Sequence, residues 1–312
     1  MIGLRLLVCV LLSCGTIHAS GQLTYQNLEV IYDSAWTFKN LSLIPVRFKG
    51  LPAEGTSLVA GLQTISLPEA LMKNKVKIKE VLYEDGADLN WLQIVNNSKQ
   101  SLVINSGDLL AGGKQDRLVG ETKIIAPGAS DYLKVFCIEK GRWDDKIKQF
   151  HHSGTADVGV KKVMDVTGRQ VEVWKEIEGR FSTGKIPSTT WPYLQLHKNY
   201  GLADSSYIRY FMQKFRQSDS AYAGFLAVTG NQIISCELFA ASNLTRVAFP
   251  GMLSSLVLSV AKSSPPVMPV SAMKKFMDEL LKNEFTQKIF VAAHGQMHLY
   301  QGKVMHIIVY GS

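Results

Sequence analysis

The chain has 312 residues, of which 46% are hydrophobic and 19% charged, and a formal charge of +8. That composition fills one large core or two smaller ones and excludes a disordered or low-complexity chain. The basic excess is modest and spread out, and the run Lys73–Lys79 alternates lysine with other residues. Alternation places those charges on one solvated face of a strand, so no nucleic-acid partner is expected.

The first twenty residues carry one basic residue, Arg5, then the apolar run Leu6–Leu12, then small residues ending at Ala19 and Ser20. This is the layout of a secretory signal peptide over residues 1–20, cleaved near Ala19 or Ser20. Removing Arg5 with the leader changes the charge from +8 to +7. An alternative is lipoprotein processing at Cys14. The mature chain is then expected to be exported, periplasmic or secreted, with Cys137 and Cys236 as its cysteines. Both cysteines lie in apolar, strand-like surroundings and read as buried thiols, with a disulfide or a reactive nucleophile as alternatives.

From residue 21 to about 145 the pattern is one of short strands: Leu28–Tyr32, Leu43–Phe48, Lys75–Tyr83, Leu89–Val95, Ser101–Ile104, Lys123–Ile125 and Tyr132–Cys137. Polar and glycine-containing breaks separate them, which favours antiparallel pairing. Ser66-Leu67-Pro68-Glu69 is a capping box with proline in the first turn, predicting one short helix through Met72.

From 146 to 312 the composition turns to helices and longer loops. Helical spacing is seen over Val171–Phe181 and Tyr207–Phe215, and a hairpin is predicted for Tyr222–Val228 against Gln232–Leu238. Helices follow from Leu244 or Pro250 through Ala261 and from Ser271 to Lys282, then a strand over Lys288–Ala293 and a hairpin through Gln301-Gly302. Arg246 and Pro250-Gly251 interrupt the apolar stretch Leu244–Ala261, so no transmembrane helix is expected. The fold class is α+β, either a β-rich antiparallel half followed by a mixed half packing on it or one continuous domain, with no βαβ succession.

Candidate chemistry concentrates in Ser106–Trp143. Gly112 and Gly113 let backbone N–H groups approach a ligand, and Lys114, Gln115 and Arg117 add donors for phosphate or carboxylate oxygens. Asp108, Asp116, Glu139, Arg142 and Trp143 complete the candidate ligand-binding set. The competing reading is a glycine bulge with structural ion pairs, Asp116 with Arg117 or Asp108 with Arg142. Catalytic residues are not identified: no serine sits in a Gly-x-Ser-x-Gly elbow. No Cys-x-x-Cys motif is present, and no metal or cofactor is expected. A two-residue turn at Gln301-Gly302 would pair His298 with Met305 and His306 with Met297, leaving the histidines on opposite faces, whereas a three-residue turn through Lys303 would pair them directly.

These residues also carry a resemblance. Leu67–Leu71, Leu92–Ser98, Gly107-Asp108 leading to Gly112-Gly113-Lys114-Gln115-Asp116-Arg117, Ala126–Ser130 and Cys137-Ile138-Glu139-Lys140-Gly141-Arg142-Trp143 occur in order, followed by Gly230–Ile234 and Glu237–Phe239. In these the chain resembles the ARG and rhodanese-phosphatase-superfamily-associated protein domain family, where ARG denotes ADP-ribosylglycohydrolase. The chain carries Leu109 where an acidic residue often follows the position of Asp108, which weakens a two-carboxylate site there. The resemblance implies an association with ADP-ribose-processing enzymes. The reading that follows is a binding or interaction module for an anionic or nucleotide-like, ADP-ribose-related ligand. One alternative is an envelope hydrolase using Asp108, Asp116 or Glu139 with Lys114 and Arg117 as an anion clamp. The other is a structural envelope protein in which the block is a strongly specified turn.

Overall fold

The computed structural model describes residues 23–50, 59, 61–83, 86–142, 148–200, 205–218, 221–260 and 263–311. Residues 1–20, where a signal peptide is expected, lie outside them. In chain order the first strands are β1 (Leu28–Val30), β2 (Trp36–Phe38), β3 (Leu41–Phe48) and β4 (Thr64–Ser66), followed by α1 (Leu67–Met72). Ser66 caps α1 as its pattern predicts, accepting from the Glu69 N–H at 3.3 Å. Then come β5 (Val76–Tyr83), β6 (Gly86–Asn96), β7 (Ser101–Ile104), β8 (Asp108–Gly113), β9 (Arg117–Val119), β10 (Lys123–Ile125), β11 (Ser130–Cys137) and β12 (Lys148–Thr155).

Four helices follow, α2 (Val158–Thr167), α3 (Gln170–Thr183), α4 (Tyr193–Tyr200) and α5 (Ser205–Gln217), and then the hairpin β13 (Tyr222–Thr229) and β14 (Gln232–Phe239). The chain closes with α6 (Ser242–Val260), α7 (Val270–Leu281), α8 (Glu284–His294), β15 (Gly295–Tyr300) and β16 (Lys303–Tyr310). The α+β class expected from the sequence is the observed one.

A seven-stranded sheet has the order β1-β3-β13-β14-β16-β15, with β2 on β3. It mixes the two halves of the chain, because β3 pairs with β13. Aromatic residues of α5 and α6, Phe211, Phe215 and Phe249, pack on one face against Phe225 and Tyr310. Met273 and Met277 of α7 and Val291 of α8 pack on the other against Leu226, Leu238 and Ile307. A six-stranded sheet has the order β12-β8-β9-β11-β6-β5. One of its faces meets α1 and the three-stranded sheet β10-β7-β4, through residues such as Leu92, Leu110 and Val135. The other meets α2, α3 and α4 through Leu109, Leu118 and Phe136.

Two expectations are corrected. Residues Lys288–Ala293, read as a strand, lie inside α8, whose N-cap Asn283 accepts from the Thr286 N–H. A short apolar run does not distinguish a strand from a buried helix turn, and here the capping asparagine decides. The C-terminal hairpin does turn at Gln301-Gly302, with Tyr300 opposite Lys303, but a bulge between His298 and Leu299 leaves Met305 extra. His298 therefore faces His306 directly, their rings 5.1 Å apart.

No helix among the described residues is long and apolar enough to cross a membrane. Pro250 stands inside α6, and the helix buries Phe249, Leu253 and Leu256 in the core.

Candidate functional site

The glycine block folds as the turn between β8 and β9, and its polar groups are engaged with one another. Arg117 is completely buried, and its guanidinium donates to Glu80 Oε2 at 3.3 Å, Gln115 Oε1 at 3.0 Å and Cys137 Sγ at 2.7 Å. The other Glu80 oxygen accepts the Lys114 backbone N–H at 2.8 Å. Asp116 accepts the Gly112 N–H at 2.9 Å and pairs with Arg142 at 3.0 Å, while Arg142 Nε donates to Glu139 Oε2 at 2.5 Å. Gln115 Nε2 reaches the carbonyls of Glu139 and Arg142, and Thr190 donates to Glu139 Oε1 at 3.0 Å.

The ion pairs thus differ from both pairings considered on sequence grounds. Arg117 pairs with Glu80 rather than Asp116, and Arg142 with Asp116 and Glu139 rather than Asp108. The register explains this, since Arg117 lies opposite Cys137 and both Asp116 and Glu139 flank that rung. Glycine is required at 113 because the residue has φ +58° and an added Cβ would overlap the Phe150 ring and stand 2.5 Å from Glu80 Oε1. Trp143 lies outside the described residues. The cation over aromatic rings in this region is Lys140, 5.4 Å from the Trp191 centroid and 5.9 Å from that of Trp174.

Cys137 and Cys236 are both buried and free. Burial pushes the Cys137 thiol up to about 11, the nearby Arg117 offsetting it only in part, so the thiol stays protonated at neutral pH.

Asp108 leaves the block and joins a second cluster between the two larger sheets. Its carboxylate accepts the Asn105 N–H at 3.1 Å and lies 3.3 Å from His152 Nε2. It lines a cavity of about 10 Å³, the size of one water, together with Ser106, Lys161, Glu237 and His306. Lys161 of α2, almost fully buried, reaches Glu237 of β14 at 3.0 Å, and Gly107 makes room for it, since a Cβ there would stand 2.7 Å from the lysine Cδ. Burial alone would raise the Glu237 pKa, but Lys161 and His306 overcome it and hold the carboxyl down at about 2.

Thr122 organises the two histidines. Its N–H donates to His298 Nδ1 at 3.2 Å, and its Oγ1 accepts the Ser106 N–H and lies 2.9 Å from His306 Nδ1. Accepting at Nδ1 places the His298 proton on Nε2, which is buried with no hydrogen-bond partner among the described residues. Burial depresses both histidine pKa values, so both rings are neutral at pH 7. Asp165, bonded to Ser106 Oγ at 3.1 Å and Tyr310 OH at 2.6 Å, is pushed up by burial to about 6 despite Lys161.

A second opening borders α2. It is a cleft of about 410 Å³ lined by Asp157, Val158, Gly159, Arg180, Tyr193, His197, Ile234, Leu258 and Ser259. Asp157 caps α2, accepting the N–H groups of Gly159 at 2.9 Å and Val160 at 3.3 Å. It also takes Arg180 NH1 at 2.5 Å, Arg180 NH2 at 2.8 Å and the Tyr193 hydroxyl at 2.6 Å. Burial would raise its pKa, but Arg180 and these hydrogen bonds outweigh it and hold Asp157 below the usual carboxylate range.

Arg180 reaches Glu176 as well, at 2.8 Å, so one guanidinium stands between two carboxylates and the group carries one net negative charge. His197 Nε2 donates to the Thr155 carbonyl at 2.8 Å, which leaves Nδ1 as an acceptor in the neutral ring. Thr155 separates the two sites, its carbonyl holding His197 and its residue lining the small cavity.

Of the sequence-predicted residues, the fold gathers Lys114, Gln115, Asp116, Arg117, Glu139 and Arg142 around one turn and moves Asp108 elsewhere. Asp157, Arg180, Tyr193 and His197 are not part of that set. An aspartate before the helical spacing of Val160 and Met164, with Gly168 at the other end, was the available signal for α2.

A domain of three sheets carrying a turn of mutually paired charges between β8 and β9 is the class that fold and site define. Residues 29–309 match the ARG and Rhodanese-Phosphatase-superfamily-associated Protein domain, and the chain belongs to that family. The family name links the domain to ADP-ribosylglycohydrolase and rhodanese-phosphatase associations. No curated protein and no solved structure matches the chain.

Proposed function

We propose that the protein is an exported small-molecule-binding domain whose ligand lies in the cleft beside α2, with the glycine block as its internal frame. The observation that carries this reading is the 410 Å³ cleft itself, which pairs an apolar wall of Val158, Ile234 and Leu258 with the ordered Asp157, Arg180, Tyr193 and His197. Its volume falls within the roughly 300–1,000 Å³ typical of small-molecule sites. An anion at the glycine block would have to displace Glu80, Asp116 or Glu139 from Arg117 or Arg142. That exchange replaces one compensated charge with another and brings no evident gain.

Charge also selects the ligand. Asp157 and Glu176 outnumber Arg180, so the cleft favours a neutral or cationic group bearing hydroxyls or ring nitrogens. An ADP-ribose-related compound would accordingly enter with its ribose or adenine, leaving the pyrophosphate toward solvent. Hydrolysis is the weaker reading because Asp157 is held ionised by Arg180 and Asp165 sits on the buried face of α2, away from the cleft lining.

The test is a thermal-shift screen of the protein against adenosine, ribose, ADP-ribose, AMP and polyamines. A ligand at ~100 times its dissociation constant stabilises the fold by roughly 2.7 kcal/mol. The shift is expected to vanish in Leu258→Trp, which fills the cleft, and to persist in Arg142→Ala. The reverse pattern, or no shift with any compound, contradicts the proposal.

A further inference from the structure

The six-stranded sheet has one face that is only partly covered. Leu92 and Ile94 of β6, Leu133 and Val135 of β11 and Val76 of β5 point into the core shared with α1. Alternation therefore sends Trp91 and Gln93, Tyr132 and Lys134, and Lys77 and Lys79 to the opposite side. Toward β8 and β9 that side is covered by α2, α3 and α4 over Leu118 and Phe136. Over β5, β6 and β11 it is open: Trp91 is 38% exposed, Tyr132 52% and Leu89 40%.

The register turns these residues into one surface. Lys79 and Tyr132 flank Gln93 from either side, Lys134 lies opposite Trp91, and Lys77 lies opposite Val95. Trp91 and Tyr132 are diagonal neighbours on adjacent strands, a separation of roughly 7–8 Å. Two aromatic residues thus share one face of adjacent strands, with lysines at neighbouring positions. No ion pair engages Lys77, Lys79 or Lys134 among the described residues. Among the acids of these strands, Glu80 pairs with Arg117, Asp131 pairs with Lys123, and Asp88 accepts the Asn90 N–H.

We propose that this open face binds an acidic polysaccharide, with Trp91 and Tyr132 stacking on successive sugar rings and Lys77, Lys79 and Lys134 meeting their carboxylates or sulfates. Charge complementarity calls for a polyanion, and paired aromatic platforms call for one built of rings. A glycan rather than a nucleic acid follows from the export proposed above, which places the face among extracellular polymers. The choice of glycan thus rests on that export, but the surface is separate from the α2 cleft, so failure of binding at one is distinguishable from failure at the other.

The test is a titration of the full chain with polygalacturonate oligosaccharides and heparin fragments, with a neutral oligoglucan and oligodeoxythymidylate alongside. The acidic oligosaccharides are expected to bind with an affinity that falls as salt rises. Trp91→Ala and the double variant Lys77→Glu/Lys79→Glu should each weaken binding about tenfold or more. Tyr132→Ala gives an independent reading at a second exposed position, and Leu258→Trp should leave binding unchanged. The proposal is overturned if no acidic oligosaccharide binds or if loss of the aromatic rings has no effect. Tighter binding of oligodeoxythymidylate with the same dependence on Trp91 and the lysines would reassign the face to single-stranded nucleic acid.

Discussion

Arg117 and Arg180 are both guanidiniums held by carboxylates, yet one is fully sealed and the other keeps 26% of its side chain exposed beside a cleft. Arg117 joins β5, β9 and β11 through Glu80, Gln115 and Cys137, so its charge serves as an internal tie between strands. Arg180 joins α3 to the cap of α2 and still lines an opening. A concentration of glycine and charge in the sequence therefore marks where the fold is most tightly specified. The accessible chemistry lies a helix away.

Three substitutions sharpen that contrast. The largest effect is expected for Arg117→Ala, which leaves Glu80 buried without its partner and should cost about 3–5 kcal/mol in urea unfolding. Replacing both Arg117 and Glu80 by methionine should recover most of that loss. A single and a double variant of equal stability would break the account of Arg117 as a sealed tie.

The second concerns the buried cluster and its pH dependence. The Asp165 pKa is raised to about 6, so the native state binds its proton more tightly than the unfolded chain does, and stability from this group falls as pH rises from about 4 through 6. His298 and His306 act in the opposite sense. Their depressed pKa values mean that stability is lost as pH falls below the ordinary histidine value of 6.5. Asp165→Asn removes the compensating gain, about 1 kcal/mol by pH 5, and should make acid destabilisation below pH 6.5 steeper than in the wild type. Urea midpoints at pH 7, 6 and 5 read this directly, and parallel curves for the two proteins would contradict it.

The smallest effect is expected for Arg180→Ala. Asp157 keeps the Tyr193 hydroxyl and the α2 amides, and the pair is partly solvated, so the cost should be about 1 kcal/mol by the same unfolding assay. A loss as large as that of Arg117→Ala would erase the distinction between the two arginines.

Much of the fold was legible in local pattern. The capping box at Ser66, the spacing over Val171–Phe181 and Tyr207–Phe215, and the hairpin around Gly230 all stand in the structure. What the sequence could not carry was anything set by distant pairing. Glu80 lies 37 residues from Arg117, and nothing local names it as the partner. The bulge that brings His298 opposite His306 reverses a face assignment from alternation alone, since one extra residue flips every side chain beyond it. The cleft draws its lining from β14, α2, α3, α4 and α6, which only the assembled fold brings together.

The most direct measurement is the Nε–H spectrum of the arginine side chains, recorded by ¹⁵N NMR with and without the compound that gives the largest thermal shift. The account predicts a slowly exchanging Arg117 signal that stays in place and an Arg180 signal that moves on addition. A shift confined to Arg117 or Arg142, with Arg180 unchanged, would return the ligand to the glycine block and contradict the account.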